Sequence, residues 1–193
     1  MIGLYVILPN LVVQKFTPAG GPHLGFFNLS IPSPTPTPTP SPTPALVPVT
    51  LIIPKLKIQA PVEQVGLTPT NNMDVPKDAA DAAWYMHGPK PAEEGNAVIS
   101  AHYDTPTGKP ALFYYLNKLE VGDGVEVISN NAVHSTFVVT EKSTIPYDTF
   151  PNEFVFKSKP GRNLNLITCS GIWDPRKKIY SDRIVVYTTL KQE

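Results

Sequence analysis

Residues 163–169 read Asn-Leu-Asn-Leu-Ile-Thr-Cys, and residues 183–190 read Arg-Ile-Val-Val-Tyr-Thr-Thr-Leu. Both runs are short, apolar and rich in β-branched side chains, so each predicts a β-strand. Between them Ser170-Gly171 and Asp174-Pro175 mark a polar loop. Two strands joined in this way predict an antiparallel hairpin, with the end of the first beside the start of the second. Along the first strand Leu164, Leu166 and Thr168 share one face, and Asn165, Ile167 and Cys169 share the other. Cys169 and Arg183 are therefore expected at one rim of a sheet.

The same texture extends upstream to Val49. Leu51-Ile52-Ile53 and Leu56 to Val65 read as strands broken at Pro54 and Pro61. Asn96 to His102 is a compact apolar run ending in polar residues. Val121-Gly122-Asp123-Gly124 is a turn into Val125 to Ile128, and Asn130-Asn131 reverses the chain into Ser135 to Thr140. Helical pattern is confined to a turn or two at Ala79 to Tyr85 and at Ala111 to Leu116. Frequent short strands predict an all-β barrel or sandwich.

Upstream of residue 48 the composition changes. Six of the chain's 23 prolines fall in Ser33 to Pro44, Ser-Pro-Thr-Pro-Thr-Pro-Thr-Pro-Ser-Pro-Thr-Pro. Proline at alternate positions fixes φ and removes donors, so this run predicts an extended polyproline II rod, with residues 33–47 acting as a spacer. Met1 to Val13 is apolar but short of the roughly 20 residues a membrane helix requires, and Pro9 interrupts it. Residues 1–32 read either as the remnant of a membrane anchor or as a loosely packed apolar tail. Residues 48–193 form the predicted globular domain.

The formal charge of +0 gives no field to attract nucleic acid or an anionic membrane. A single cysteine, Cys169, excludes an intramolecular disulfide and leaves two fates for that thiol, a buried core group or a nucleophile. A nucleophile needs its thiolate stabilised and a partner to move protons. Arg183 supplies a permanent charge. Of the four histidines, His23 precedes the rod, His87 lies in a Gly/Pro-rich loop and His134 in a hairpin. His102 alone ends an apolar strand, as Cys169 does. The bland alternatives are a surface arginine at a strand start and a structural histidine at a strand end. No paired cysteines or His-Glu-x-x-His spacing suggests a metal, no glycine-rich phosphate loop appears, and no cofactor is expected. Phe113-Tyr114-Tyr115 reads as core rather than platform.

Residues 48 to 191 resemble the sortase family. Asn165-Leu166-Ile167-Thr168-Cys169 is similar to the family's Thr-Leu-X-Thr-Cys signature, with Asn165 replacing its first Thr. Ser181-Asp182-Arg183-Ile184-Val185-Val186 is similar to the strand carrying the family's essential arginine. Ala101-His102, followed by Asp104, resembles its Gly-His element, with Ala101 for Gly. Met73-Asp74-Val75-Pro76 with Trp84-Tyr85 is most like class F.

The resemblance implies an eight-stranded β-barrel and a cysteine transpeptidase; some sortases bind calcium, but no Asp-rich loop here supports such a site. Cys169 would attack a Leu-Pro-X-Thr-Gly-like sorting signal, giving a thioacyl-enzyme resolved by an amine of peptidoglycan or similar. His102 would shuttle the proton, Arg183 would hold the substrate carbonyl or its oxyanion, and Thr168 would help shape the substrate pocket. Asp104 would either orient His102 or cap the following loop. The implied location is the extracellular face of the membrane of a Gram-positive-type bacterium. The rival reading is a non-catalytic barrel displayed on a stalk for wall binding or scaffolding.

Overall fold

A computed structural model of the protein describes residues 47–157 and 159–192. The apolar segment 1–32 and all of the spacer except Val47 lie outside the described residues. Val47 packs against the core, and its carbonyl accepts the Asn130 amide at 2.8 Å.

Eight strands close into a barrel in the order β1-β2-β3-β4-β7-β8-β6-β5. They are β1 (Pro48–Ile53), β2 (Ile58–Val65), β3 (Ala82–Tyr85), β4 (Gly95–Ala101), β5 (Gly124–Ser129), β6 (His134–Pro146), β7 (Arg162–Asp174) and β8 (Ile179–Leu190). The β2–β3 and β4–β7 ladders are parallel and the others antiparallel. One five-residue helix, α1 (Asn152–Phe156), and three short 3-10 turns complete the described elements. The expected eight-stranded all-β barrel is thus the observed architecture.

Alternation along the strands builds the core. Leu164 and Leu166 of β7, Ala97, Ile99 and Ala101 of β4, and Ile184 and Val186 of β8 point inward with Phe113, Leu116 and Phe137. Fully burying such side chains contributes about 1.5–3 kcal/mol each. The outward residues of the same three strands are also covered. Val98, Ile167 and Val185 pack with Val155 of α1, bordered by Met73, Phe150 and Phe156. Central strands buried on both faces lose the alternating pattern, which explains why β4 and β7 read as nearly continuous apolar runs.

Three local expectations change. Ala82–Tyr85 is a strand rather than a helical turn, because it pairs with β2 from Val62↔Ala82 to Val65↔Tyr85 and buries Ala82, Ala83 and Trp84. Tertiary pairing overrides the helical preference of alanine. Ala111 to Leu116 is a turn that gives way to a 3-10 turn at Leu116–Lys118. Pro61 does not break β2: it faces Thr50 of β1, and the ladder to β3 starts only at Val62, so its missing donor is not required there.

Candidate functional site

The β7–β8 register sets Cys169 directly opposite Arg183. On the other side of β7, Ser100 of β4 pairs with Ile167, which brings Ala101-His102 to the same barrel end. Thr168 links the two: its buried hydroxyl donates to the Ala101 carbonyl at 2.8 Å. With the donor committed there, Thr168 acts on the site by holding the ends of β4 and β7 together. Ala101 turns its methyl inward, where it is 6% exposed, so an alanine is accommodated before His102.

His102, Thr168, Cys169 and Arg183 all line one cavity of about 560 Å³. Its remaining wall is largely apolar, with Met73, Val75, Phe150, Phe156 and Ile167. Two buried asparagines hold that wall. The Asn165 amide donates to the Val155 carbonyl at 2.8 Å, and Asn96 donates to the Lys157 carbonyl at 2.9 Å. Both satisfy carbonyls at the C-terminal end of α1, which otherwise lack partners. Asn165, the departure from the nucleophile signature, is therefore an anchor for the helix that carries Phe156.

Arg183 is fixed from three sides. Its Nη1 donates to the carbonyls of Tyr180 at 3.1 Å and Asp182 at 2.8 Å, and its guanidinium lies over the Tyr147 ring at 4.8 Å. The Cys169 thiol is half-buried. Burial pushes its pKa up, Arg183 draws it down and Asp104 pushes it up again, with a net rise. The Nε2 of His102 lies 2.9 Å from the Pro76 carbonyl, which only accepts, so Nε2 is the donor there and Nδ1 is left for a second partner. Asp104 does not partner His102; its carboxylate accepts the Tyr180 hydroxyl.

Sequence reasoning missed Tyr147, Phe150, Phe156, Tyr180 and Gly171. Gly171 carried a signal. Its φ is +82°, and a Cβ there would come within 2.1 Å of the Asp182 carboxylate and 2.2 Å of the Ser181 hydroxyl. Glycine alone fits the bulge that follows Ser170 without backbone strain or displacement of those two side chains. Asp123 is more than a turn residue, for it pairs with Lys55 at 2.9 Å. Among the described residues, no group of three or more His, Cys, Asp or Glu converges to hold a metal. No helix among them is long and apolar enough to cross a membrane.

The fold is thus a closed β-barrel that gathers a thiol, an imidazole and a guanidinium around one cavity at its rim. The sortase domain model matches residues 51–191, and the chain belongs to the sortase family. No curated protein sequence matches it. Sortase C1 of GBS pilus island 1 superposes with a TM-score of 0.56 at 22% identity, over 75% of this chain and 65% of that one. This chain thus spans just under two thirds of that protein. A lid mutant of sortase A from Corynebacterium diphtheriae gives 0.59 at 15% identity, over 76% and 71%. A Clostridium perfringens sortase D5 transpeptidase gives 0.55 at 16%, over 76% and 79%. At these identities the likeness speaks for the fold alone.

Proposed function

We propose that the protein is a cysteine transpeptidase that cleaves a Leu-Pro-X-Thr-Gly-like sorting signal and transfers the acyl group to an amine of peptidoglycan or a similar acceptor. The observation that carries this reading is the convergence of Cys169, His102 and Arg183 on one cavity with an apolar wall.

The chemistry follows from the residues. Cys169 sulfur attacks the threonyl carbonyl as its proton passes to Nδ1 of His102. The Arg183 guanidinium supports the oxyanion, and a charge held in place by Tyr180, Asp182 and Tyr147 needs little reorganisation to do so. Collapse expels the glycyl amine, protonated by His102, and leaves a thioester. An incoming amine then attacks that thioester, the C–S bond breaks and the thiol is regenerated. Met73, Val75, Phe150, Phe156 and Ile167 suit the apolar residues of the signal.

In this reading residues 48–193 are the catalytic domain, and residues 33–47 space it from an anchored N-terminus at the extracellular face of the membrane. The class F assignment belongs here too. Its supporting stretch contributes Met73, Asp74 and Val75 to the cavity and the Pro76 carbonyl to His102, whereas the solved structures named above carry C, A and D names.

A fluorogenic Leu-Pro-X-Thr-Gly peptide tests the proposal. Wild type is expected to cleave it and Cys169→Ala to fail. Arg183→Ala is expected to lose about a hundredfold or more in kcat, as when an oxyanion donor is removed. Equal turnover by wild type and Cys169→Ala would overturn the reading.

A further inference from the structure

Near Cys169, outside the cavity's lining, one carboxylate is hydrogen-bonded to a tyrosine that belongs to an aromatic cluster. Asp104 accepts the Tyr180 hydroxyl on Oδ2, leaving Oδ1 for an incoming donor. The Tyr180 ring meets Tyr103 edge-on at 5.5 Å and Trp173 at 5.1 Å. Tyr103 is stacked on Tyr114 at 4.6 Å. Trp173 is 47% exposed, and Asp104, Tyr103 and Tyr180 are half-buried, so the cluster is open to solvent. Among the described residues Asp104 forms no ion pair.

For thiolate formation this carboxylate is a liability, since its charge opposes ionisation of Cys169. What a carboxylate at the edge of an aromatic cluster does fit is a small cation, held by charge-assisted hydrogen bonding with ring quadrupoles close by. We propose that Asp104, with Tyr103, Tyr180 and Trp173, is the docking site for the acceptor amine in its alkylammonium form. This rests on the transpeptidase reading above and adds the recognition of its second substrate.

The carboxylate recruits the amine and does not activate it, because a negative neighbour favours the ammonium. On moving from Asp104 to the thioester the ammonium releases one proton to solvent. Its lone pair forms the C–N bond, the C–S bond breaks with the sulfur leaving as thiolate, and the second N–H proton passes to His102. Asp104 is thus a positioning residue for the second half-reaction.

The test uses the full chain, acylated by a Leu-Pro-X-Thr-Gly peptide and resolved by triglycine, an ammonium at neutral pH, or by hydroxylamine, which is neutral there. The ratio of transfer to hydrolysis cancels any change in acylation. Asp104→Asn is expected to lower the triglycine ratio about tenfold and the hydroxylamine ratio less than about twofold, as loss of one charge-assisted contact implies. An unchanged triglycine ratio, or an equal fall for both nucleophiles, overturns the proposal. A second measurement needs no turnover: tryptophan fluorescence of the Cys169→Ala chain titrated with methylammonium chloride. Trp84 is 3% exposed, so Trp173 is the reporter at the surface. A saturable change abolished by Asp104→Asn is expected, and a response identical to that of potassium chloride overturns the site. If the saturable change is seen but the wild-type chain is never acylated by the peptide, the docking site stands and the transpeptidase reading is overturned instead.

Discussion

Substituting Gly171 by alanine perturbs the site without touching any reacting group. The residue sits at φ +82°, and the new methyl would lie 2.1 Å from Asp182 Oδ2 and 2.2 Å from Ser181 Oγ. A left-handed backbone costs alanine about 1–2 kcal/mol. To clear the methyl, the Ser181 hydroxyl must leave the Ile172 amide at 2.9 Å and the Asp182 carboxylate at 2.7 Å. Both bonds are exposed, so their loss adds about 1 kcal/mol in total. The sum is about 2–3 kcal/mol, or a melting temperature lowered by about 5–10 °C for a domain of this size. Because Asp182 adjoins Arg183, which faces Cys169, peptide cleavage should fall as well. Ser181→Gly in the same chain removes one obstacle and should restore part of the stability. Thermal unfolding followed by circular dichroism reads the effect, and a melting temperature equal to the parent's would refute the bulge argument.

Two further outcomes follow from the site's geometry. Alkylation of Cys169 by iodoacetamide should be slow at neutral pH and accelerate beyond the ordinary thiol range, because burial raises its pKa. Arg183→Ala should slow labelling further and Asp104→Asn should speed it, so changes of the same sign would contradict the charge assignment. The same raised pKa favours the folded state while the thiol is protonated, a contribution lost as pH rises through the folded value. Thr168→Val removes the hydroxyl bond to the Ala101 carbonyl and should cost about 1–2 kcal/mol in urea unfolding. An unchanged unfolding midpoint would show that the bond does not hold β4 to β7.

The hairpin of β7 and β8 was legible because its strands are apolar, β-branched and cleanly bounded, and their register alone puts Cys169 opposite Arg183. His102 was legible as a polar residue ending a buried strand. Less visible was Ala82–Tyr85, whose strand state exists only through pairing with β2. The wall residues Phe150 and Phe156 come from a loop and a helix of five residues, too short to leave a periodic signal. Tyr114 and Tyr115 were read as core with Phe113, yet only Phe113 is fully buried, because local sequence does not tell which side of a turn meets solvent. The Asp104–Tyr180 bond joins residues 76 positions apart, and spacing carries no trace of it.

Intact mass spectrometry of the full chain mixed with a Leu-Pro-X-Thr-Gly peptide, quenched in acid, tests the central claim most directly. The account predicts an acyl adduct equal to the peptide less its glycine-led fragment, mapped to Cys169 and absent from Cys169→Ala. An unmodified Cys169 beside intact peptide, or an adduct on another residue, would contradict it.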